Sequence, residues 1–211
     1  MADYKLYGFA QSGNVYKVAL MLQACGADWT CVKVDMLAGE NKTPDYLAIN
    51  ETGEVPALKH GDVVLGQSGV ILDYLSEQFD LYGWADNAER REVLRWILFD
   101  NHKFSSLIGP LRFMKTFMGR SDAAVDTYQQ RAEAAFGVVD RHLDGRQWVA
   151  LDRASIADFS LAGYMFYRDE VPVDFDAYPN LQAWRARVQS LPGWTPPYEL
   201  LPRIDLSPAK P

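Results

Sequence analysis

Strand-forming sequence ends early in this chain. Every β-rich run lies before residue 67, and from Ala88 to Leu191 the apolar pattern is almost entirely helical. That switch predicts a small α/β domain followed by a larger all-α one. With 211 residues the chain is long enough for both to bury a core. The change falls where Gly83 stands between Asp80 and Asp86, a linker composition. The expected division is residues 1–80, a linker at about 81–86, and residues 87–211.

In the first part Lys5–Phe9 reads as a strand, followed by a turn at Gln11–Asn14. Val15, Val18, Ala19, Leu22 and Cys25 then recur at helical spacing, with Gly26 as the stop. Trp29–Val34 is a second strand. Thr43 and Pro44 are the N-cap and first residue of a short helix through Ala48. Pro56–Lys59 and Val63–Gly66 form a hairpin, and Ser68 caps a helix to about Phe79. The order βαβαββα implies a parallel pair with a right-handed crossover plus an antiparallel hairpin, hence a mixed four-stranded sheet. In the second part Ala88–Met118 is helical, with a kink or break expected at Gly109-Pro110. Asp122–Leu143 is a long helix, Ser155 and Asp158 form a capping box, and Pro179–Leu191 is a further helix. The proline-rich tail from Pro192 is expected to wrap the surface.

Net charge is -7, which argues against nucleic acid or an anionic membrane as the main partner. No apolar run is long enough to span a bilayer, and the opening MADYKLYGF has no secretory pattern. Cys25 and Cys31, not spaced as CxxC, read as free thiols and suit a reducing cytoplasm. His60, His102 and His142 are scattered, and no metal-ligand spacing exists.

Four places have the chemistry of a binding site. Ser12 stands between the first strand and first helix, where unpaired N–H groups and the helix dipole favour an anion. Taken by itself, plain helix capping by Ser12 or Asn14 is the commoner reading. In NETGEVPAL, Pro56 follows Val55 at a strand entry. A cis bond there would turn the Val55 N–H and C=O toward an extended peptide; a trans proline opening an edge strand is the other reading. Gln67 and Ser68 at a helix start suit a carboxylate or are a plain N-cap, and Lys42 beside Asn41 suits a second carboxylate or is a solvated surface charge. One ligand fits all four: two carboxylates, a peptide backbone between them, and a group held as an anion. Glutathione has that inventory.

KLYGFAQSGNVYKVAL, NETGEVPAL, GQSGVILDYL, ASIADFSL and YPNLQAWRARV, in this order, resemble the glutathione S-transferase family over nearly the whole chain. The resemblance implies a thioredoxin-like N-terminal domain, an all-helical C-terminal domain, a homodimer and a cytoplasmic, detoxifying enzyme. Glutathione would be a co-substrate, with no bound cofactor and no metal. Ser12 matches the thiolate-stabilising hydroxyl of the serine-type members, with Asn14 supporting it. Asn41 and Lys42 match a His-Lys pair that reaches the glycine carboxylate, although the histidine is absent. Glu54, Val55 and Pro56 match the loop around the cysteinyl backbone, where the proline is typically cis. Gln67 and Ser68 match the γ-glutamyl contacts. Tyr7 is one residue from the position of the tyrosine-type members, so strand alternation points it to the other face.

The second substrate would be a small hydrophobic electrophile between the domains. Candidate walls are Phe9, Ala10, Phe99, His102, Phe104, Ile108, Phe113 and Phe117, with Arg112 and Lys115 nearby. Helix core accounts for most of this stripe equally well. Asp100 is a candidate for reaching the glutathione amine in a partner subunit. Glutathione-dependent disulfide reduction or peroxidase chemistry remains an alternative, as does a non-catalytic binding module of the same fold.

Overall fold

The structure is a computed structural model that describes residues 3–206. β1 (Tyr4–Gly8) pairs in parallel with β2 (Trp29–Lys33) and antiparallel with β3 (Ala57–His60), which pairs with β4 (Val63–Gly66). The sheet order β2-β1-β3-β4 is the mixed, thioredoxin-like arrangement. α1 (Gly13–Ala24) is the crossover, α2 (Pro44–Leu47) is a single turn, and α3 (Ser68–Phe79) follows the hairpin. Thr43 caps α2 through the Tyr46 N–H. Helix α3 starts one residue earlier than expected. Gln67 is its N-cap, with φ 63, and Ser68 is its first helical residue.

α1 has almost no polar face. Ten of its twelve residues are buried, because it lies between the sheet and the helical half. The helical half comprises α4 (Asn87–Phe99), α5 (Ser105–Arg112), α6 (Ala123–His142), α7 (Ile156–Leu161), α8 (Pro179–Gln189) and the short α9 (Pro197–Leu200). Asp86 and Asp122 cap α4 and α6, and the Ser155–Asp158 capping box is formed. Asp158 also accepts from Val149 N and Trp184 Nε1, and so ties α7 to α8.

The helix does not break at Gly109-Pro110. Pro110 sits inside α5, and the irregularities are wide turns on either side, Asp100–Phe104 and Phe113–Phe117. The carbonyl that loses its N–H partner belongs to Ser106, an exposed residue on the wall of a cleft, so no core group is left unpaired. The tail also departs from expectation. Instead of wrapping the surface it returns to the N-terminal loop, burying Leu201 and Ile204. No helix among the described residues is long and apolar enough to cross a membrane.

Candidate functional site

β1 delivers the chain to a tight loop, Phe9–Ser12, whose end is the N-cap of α1. Ser12 is extended (φ -88, ψ 112), and its hydroxyl oxygen accepts from the Val15 N–H at 3.4 Å. That contact uses a lone pair and leaves the hydroxyl proton free to donate. The α1 mouth is packed tightly. A Cβ at Gly13 would lie 2.7 Å from the Gly163 carbonyl and from the Tyr164 ring, so only glycine admits this approach.

A cleft of about 760 Å³ opens at this point between the sheet and the helical half. Ser12, Asn14, Glu54, Val55, Pro56, Gln67 and Ser68 line one side. The Val55-Pro56 bond is cis, and among the described residues the Val55 N–H and C=O have no hydrogen-bond partner. The Asn14 Oδ1 is buried and likewise without a partner, so it offers an acceptor at the cleft. Ser68 is buried at the first position of α3, and Gln67 Nε2 donates to Glu54 Oε2 at 3.0 Å, which joins the two loops. These groups offer a helix mouth for an anion, an unpaired peptide edge, and a second helix mouth for a carboxylate.

Asn41 and Lys42 lie outside the cleft wall. Asn41 is buried and donates from Nδ2 to the Gly53 carbonyl at 2.7 Å, so its amide holds the loop together instead of facing solvent. Lys42 is exposed, with its Nζ close to Gly53. Gly53 (φ +64) must remain glycine, since a Cβ there would meet Lys42 Nζ at 2.7 Å and the Asn41 carbonyl at 2.9 Å.

The opposite wall is mainly apolar. Of the expected residues, Phe9, Phe113 and Phe117 line it; Ala10, Phe99, Phe104 and Ile108 do not, and all of these but Phe99 are core. His102 is exposed away from the cleft, and Lys115 is exposed and donates to Gln129. Asp100 is fully buried on Lys17 at 2.6 Å, so it is not available to a partner subunit. Met36, Leu37, Asn101, Tyr164, Ile204 and Leu206 also line the cleft, and sequence reading missed them. Tyr164 sits six residues past Asp158, just beyond the helix that the capping box opens. The Tyr164 phenol is kept protonated because burial raises its pKa, against the lowering effect of Arg112. The cysteines stand apart from the cleft lining, and burial pushes Cys25 up to about 11 and Cys31 up to about 12.

Known proteins share this architecture. The glutathione S-transferase N-terminal domain model matches residues 2–77, and the C-terminal domain model matches residues 103–192. Glutathione S-transferase 3 of Zea mays is 32% identical over 207 residues, covering 92% of each chain. The crystal structure of a glutathione S-transferase from Pseudomonas fluorescens superposes with TM-score 0.88 at 31% identity, covering 93% of this chain and 100% of its own. A glutathione transferase from Pseudomonas putida, with one glutathione disulfide bound per subunit, has TM-score 0.81 at 27% identity, covering 91% of this chain and 89% of its own.

Proposed function

The chain belongs to the glutathione S-transferase family, and from that premise we propose that it binds glutathione in this cleft, holds the thiol as thiolate with the Ser12 hydroxyl, and adds it to a small hydrophobic electrophile. The observation that carries the Ser12 role is its hydroxyl, free to donate, at the mouth of the twelve-residue helix α1. In this reading Val55 pairs with the cysteinyl backbone, Gln67 and Ser68 take the γ-glutamyl end, and Glu54 braces Gln67. Asn14 accepts from a ligand N–H. Lys42 reaches the glycine carboxylate from the rim, while Asn41 shapes the loop beneath it.

The energetics call for two contributions, since neither comfortably suffices alone. A free thiol has a pKa near about 8.5, and lowering it by about two units requires roughly 2.7 kcal/mol in favour of the anion. A helix mouth contributes about 0.3–1 kcal/mol, rising to about 2 when partly buried. A hydrogen bond to a charged sulfur contributes about 1.5–3 kcal/mol. Together they reach the required amount. Ser12→Ala is therefore expected to raise the bound thiol pKa by more than one unit and to cut kcat roughly tenfold or more, as read by thiolate absorbance and aryl-halide conjugation. Wild-type values in that variant would remove Ser12 from catalysis.

The reading extends to a cytoplasmic homodimer with a detoxifying role and domains at 1–80 and 87–211, which sedimentation and limited proteolysis would check. A second reading, glutathione-dependent disulfide reduction, is favoured by the glutathione disulfide in the Pseudomonas putida relative. Assaying one preparation against an aryl halide and a small disulfide separates the two.

A further inference from the structure

We propose that Arg112 is a positioning residue for the thiolate site: from the helical half it fixes the Gln11–Ser12 peptide and thereby sets the Ser12 hydroxyl at the mouth of α1. The proposal rests on the Ser12 reading above and adds to it the device that orients the serine.

A peptide unit is planar, so fixing both its oxygen and its N–H fixes the plane. The Gln11–Ser12 unit is held in this way. Its carbonyl accepts from Arg112 Nη1 at 2.7 Å, and its N–H, on Ser12, donates to the Phe9 carbonyl at 3.2 Å. Ser12 then has little freedom left besides its own side-chain torsion, because its carbonyl is already the acceptor for the Tyr16 N–H at 3.0 Å.

Arg112 is itself immobile. It is 3% exposed, although it lies at the end of α5 in a wall of the cleft. Its Nε donates to Glu170 Oε2 at 2.9 Å, and its Nη2 donates to the same oxygen and to the Tyr198 hydroxyl. Its guanidinium carbon lies 4.3 Å from the Tyr167 ring centroid and 4.9 Å from that of Phe117. Tyr167 in turn donates from its hydroxyl to the Ala10 carbonyl, one peptide upstream. The geometry requires the planar fork of arginine: one arm reaches Gln11 while the other edge grips Glu170, which a lysine ammonium cannot do at once. Among the described residues Arg112 is also the one cation that lines the cleft, and Glu170 balances it. Its influence on Ser12 is therefore expected through geometry more than through net charge.

The test is a double-mutant cycle on the full chain. Arg112→Gln and Arg112→Lys are each made in the wild-type and Ser12→Ala backgrounds. Melting checks folding; the readouts are bound thiol pKa, kcat, and KM for glutathione. Both Arg112 variants are expected to raise the thiol pKa by about one unit, a roughly tenfold loss of thiolate at a pH below both values. A similar fall in kcat should follow. KM should stay within about twofold, because the peptide and carboxylate grips lie on other loops. In the Ser12→Ala background the same substitutions should add no further shift. A full additional shift there, a wild-type pKa in Arg112→Lys, or a change confined to KM would overturn the proposal. If Ser12→Ala alone behaves as wild type, the Ser12 reading has failed and Arg112 has no serine to position. Should the Arg112 variants not fold, Glu170→Gln with Tyr198→Phe loosens the guanidinium from its more exposed side. A smaller shift in the same direction is expected, and wild-type values in that folded variant would equally overturn the proposal.

Discussion

Near the mouth of α1 each polar atom is distinguished by whether the protein already engages it. The Ser12 oxygen accepts, but its proton is free; among the described residues the Asn14 Oδ1 and the Val55 peptide groups have no partner; Asn41, by contrast, already donates from its amide to the Gly53 carbonyl. Sequence could find Ser12, Val55 and Ser68 because helix starts and an X-Pro step are local signals. It could not separate Asn41 from Lys42, because which side chain turns inward depends on a loop twelve residues away. The cysteines follow the same logic of burial. Burial raises Cys25 to about 11 and Cys31 to about 12, so at pH 8 roughly one thiol in a thousand, or fewer, is ionised. Native protein is therefore expected to resist iodoacetamide at pH 8 while free glutathione reacts, with both cysteines labelled after unfolding in urea. Mass spectrometry reads the result; rapid native labelling with loss of activity would reopen a role for an enzyme thiol. The same shifts act on stability. A thiol with a raised folded pKa contributes stability that is full below its unfolded value and lost as the pH climbs toward 11 and 12.

Among the elements, α1 carries the greatest structural demand, since it forms both the site and the junction of the two halves. Its periodicity was enough to reveal a helix, yet it gave no hint of Lys17, which reads as a polar-face residue and is in fact fully buried. The reason is long-range. Asp100, eighty-three positions away, accepts from Lys17 Nζ at 2.6 Å, from Ser160 Oγ at 2.7 Å and from Ser105 Oγ at 2.6 Å, so both charges are satisfied out of water. The wide turn beginning at Asp100 places that carboxylate inward. Removing one partner strands the other charge in the core. Asp100→Ala is expected to cost about 3–5 kcal/mol of unfolding free energy, measured by urea denaturation. Adding Lys17→Met should recover a good part of it. A loss under about 1 kcal/mol would mean that the pair is not sealed from solvent. A Cβ at Gly163 would sit 2.5 Å from Lys17 Cε, so Gly163→Ala attacks the same junction by overpacking.

At the scale of the whole molecule, the cleft depends on the loop after β1 meeting residues 202–206. The succession of strands and helices and the Ser155–Asp158 capping box were legible because each is written within a few dozen residues. The return of the tail was not, because prolines and a short apolar run carry no period that names a docking partner. In the structure Ala10 N donates to the Pro202 carbonyl at 2.7 Å. Gln11 grips the Ile204 backbone twice, donating from Nε2 to its carbonyl at 2.6 Å and accepting its N–H on Oε1 at 3.2 Å. Ile204 and Leu206 also form cleft wall. The loop that ends in Ser12 is thus clamped by Arg112 and Tyr167 from the helical half and by Pro202 and Ile204 from the tail. A chain ending at Leu201 loses the second clamp and one wall while keeping every helix. Its stability should fall by about 1.5–3 kcal/mol for the lost burial of Ile204, together with about 0.5–1.5 kcal/mol for each of the three hydrogen bonds made by Pro202 and Ile204. Its kcat/KM for a hydrophobic electrophile should drop further, by roughly tenfold or more, because misplacing a reacting group by about 1 Å is costly. Retention of full kcat/KM in a folded truncated chain would show the tail to be passive packing. Loss of KM for glutathione alone would place its effect on the tripeptide's grip rather than on Ser12 and the second substrate.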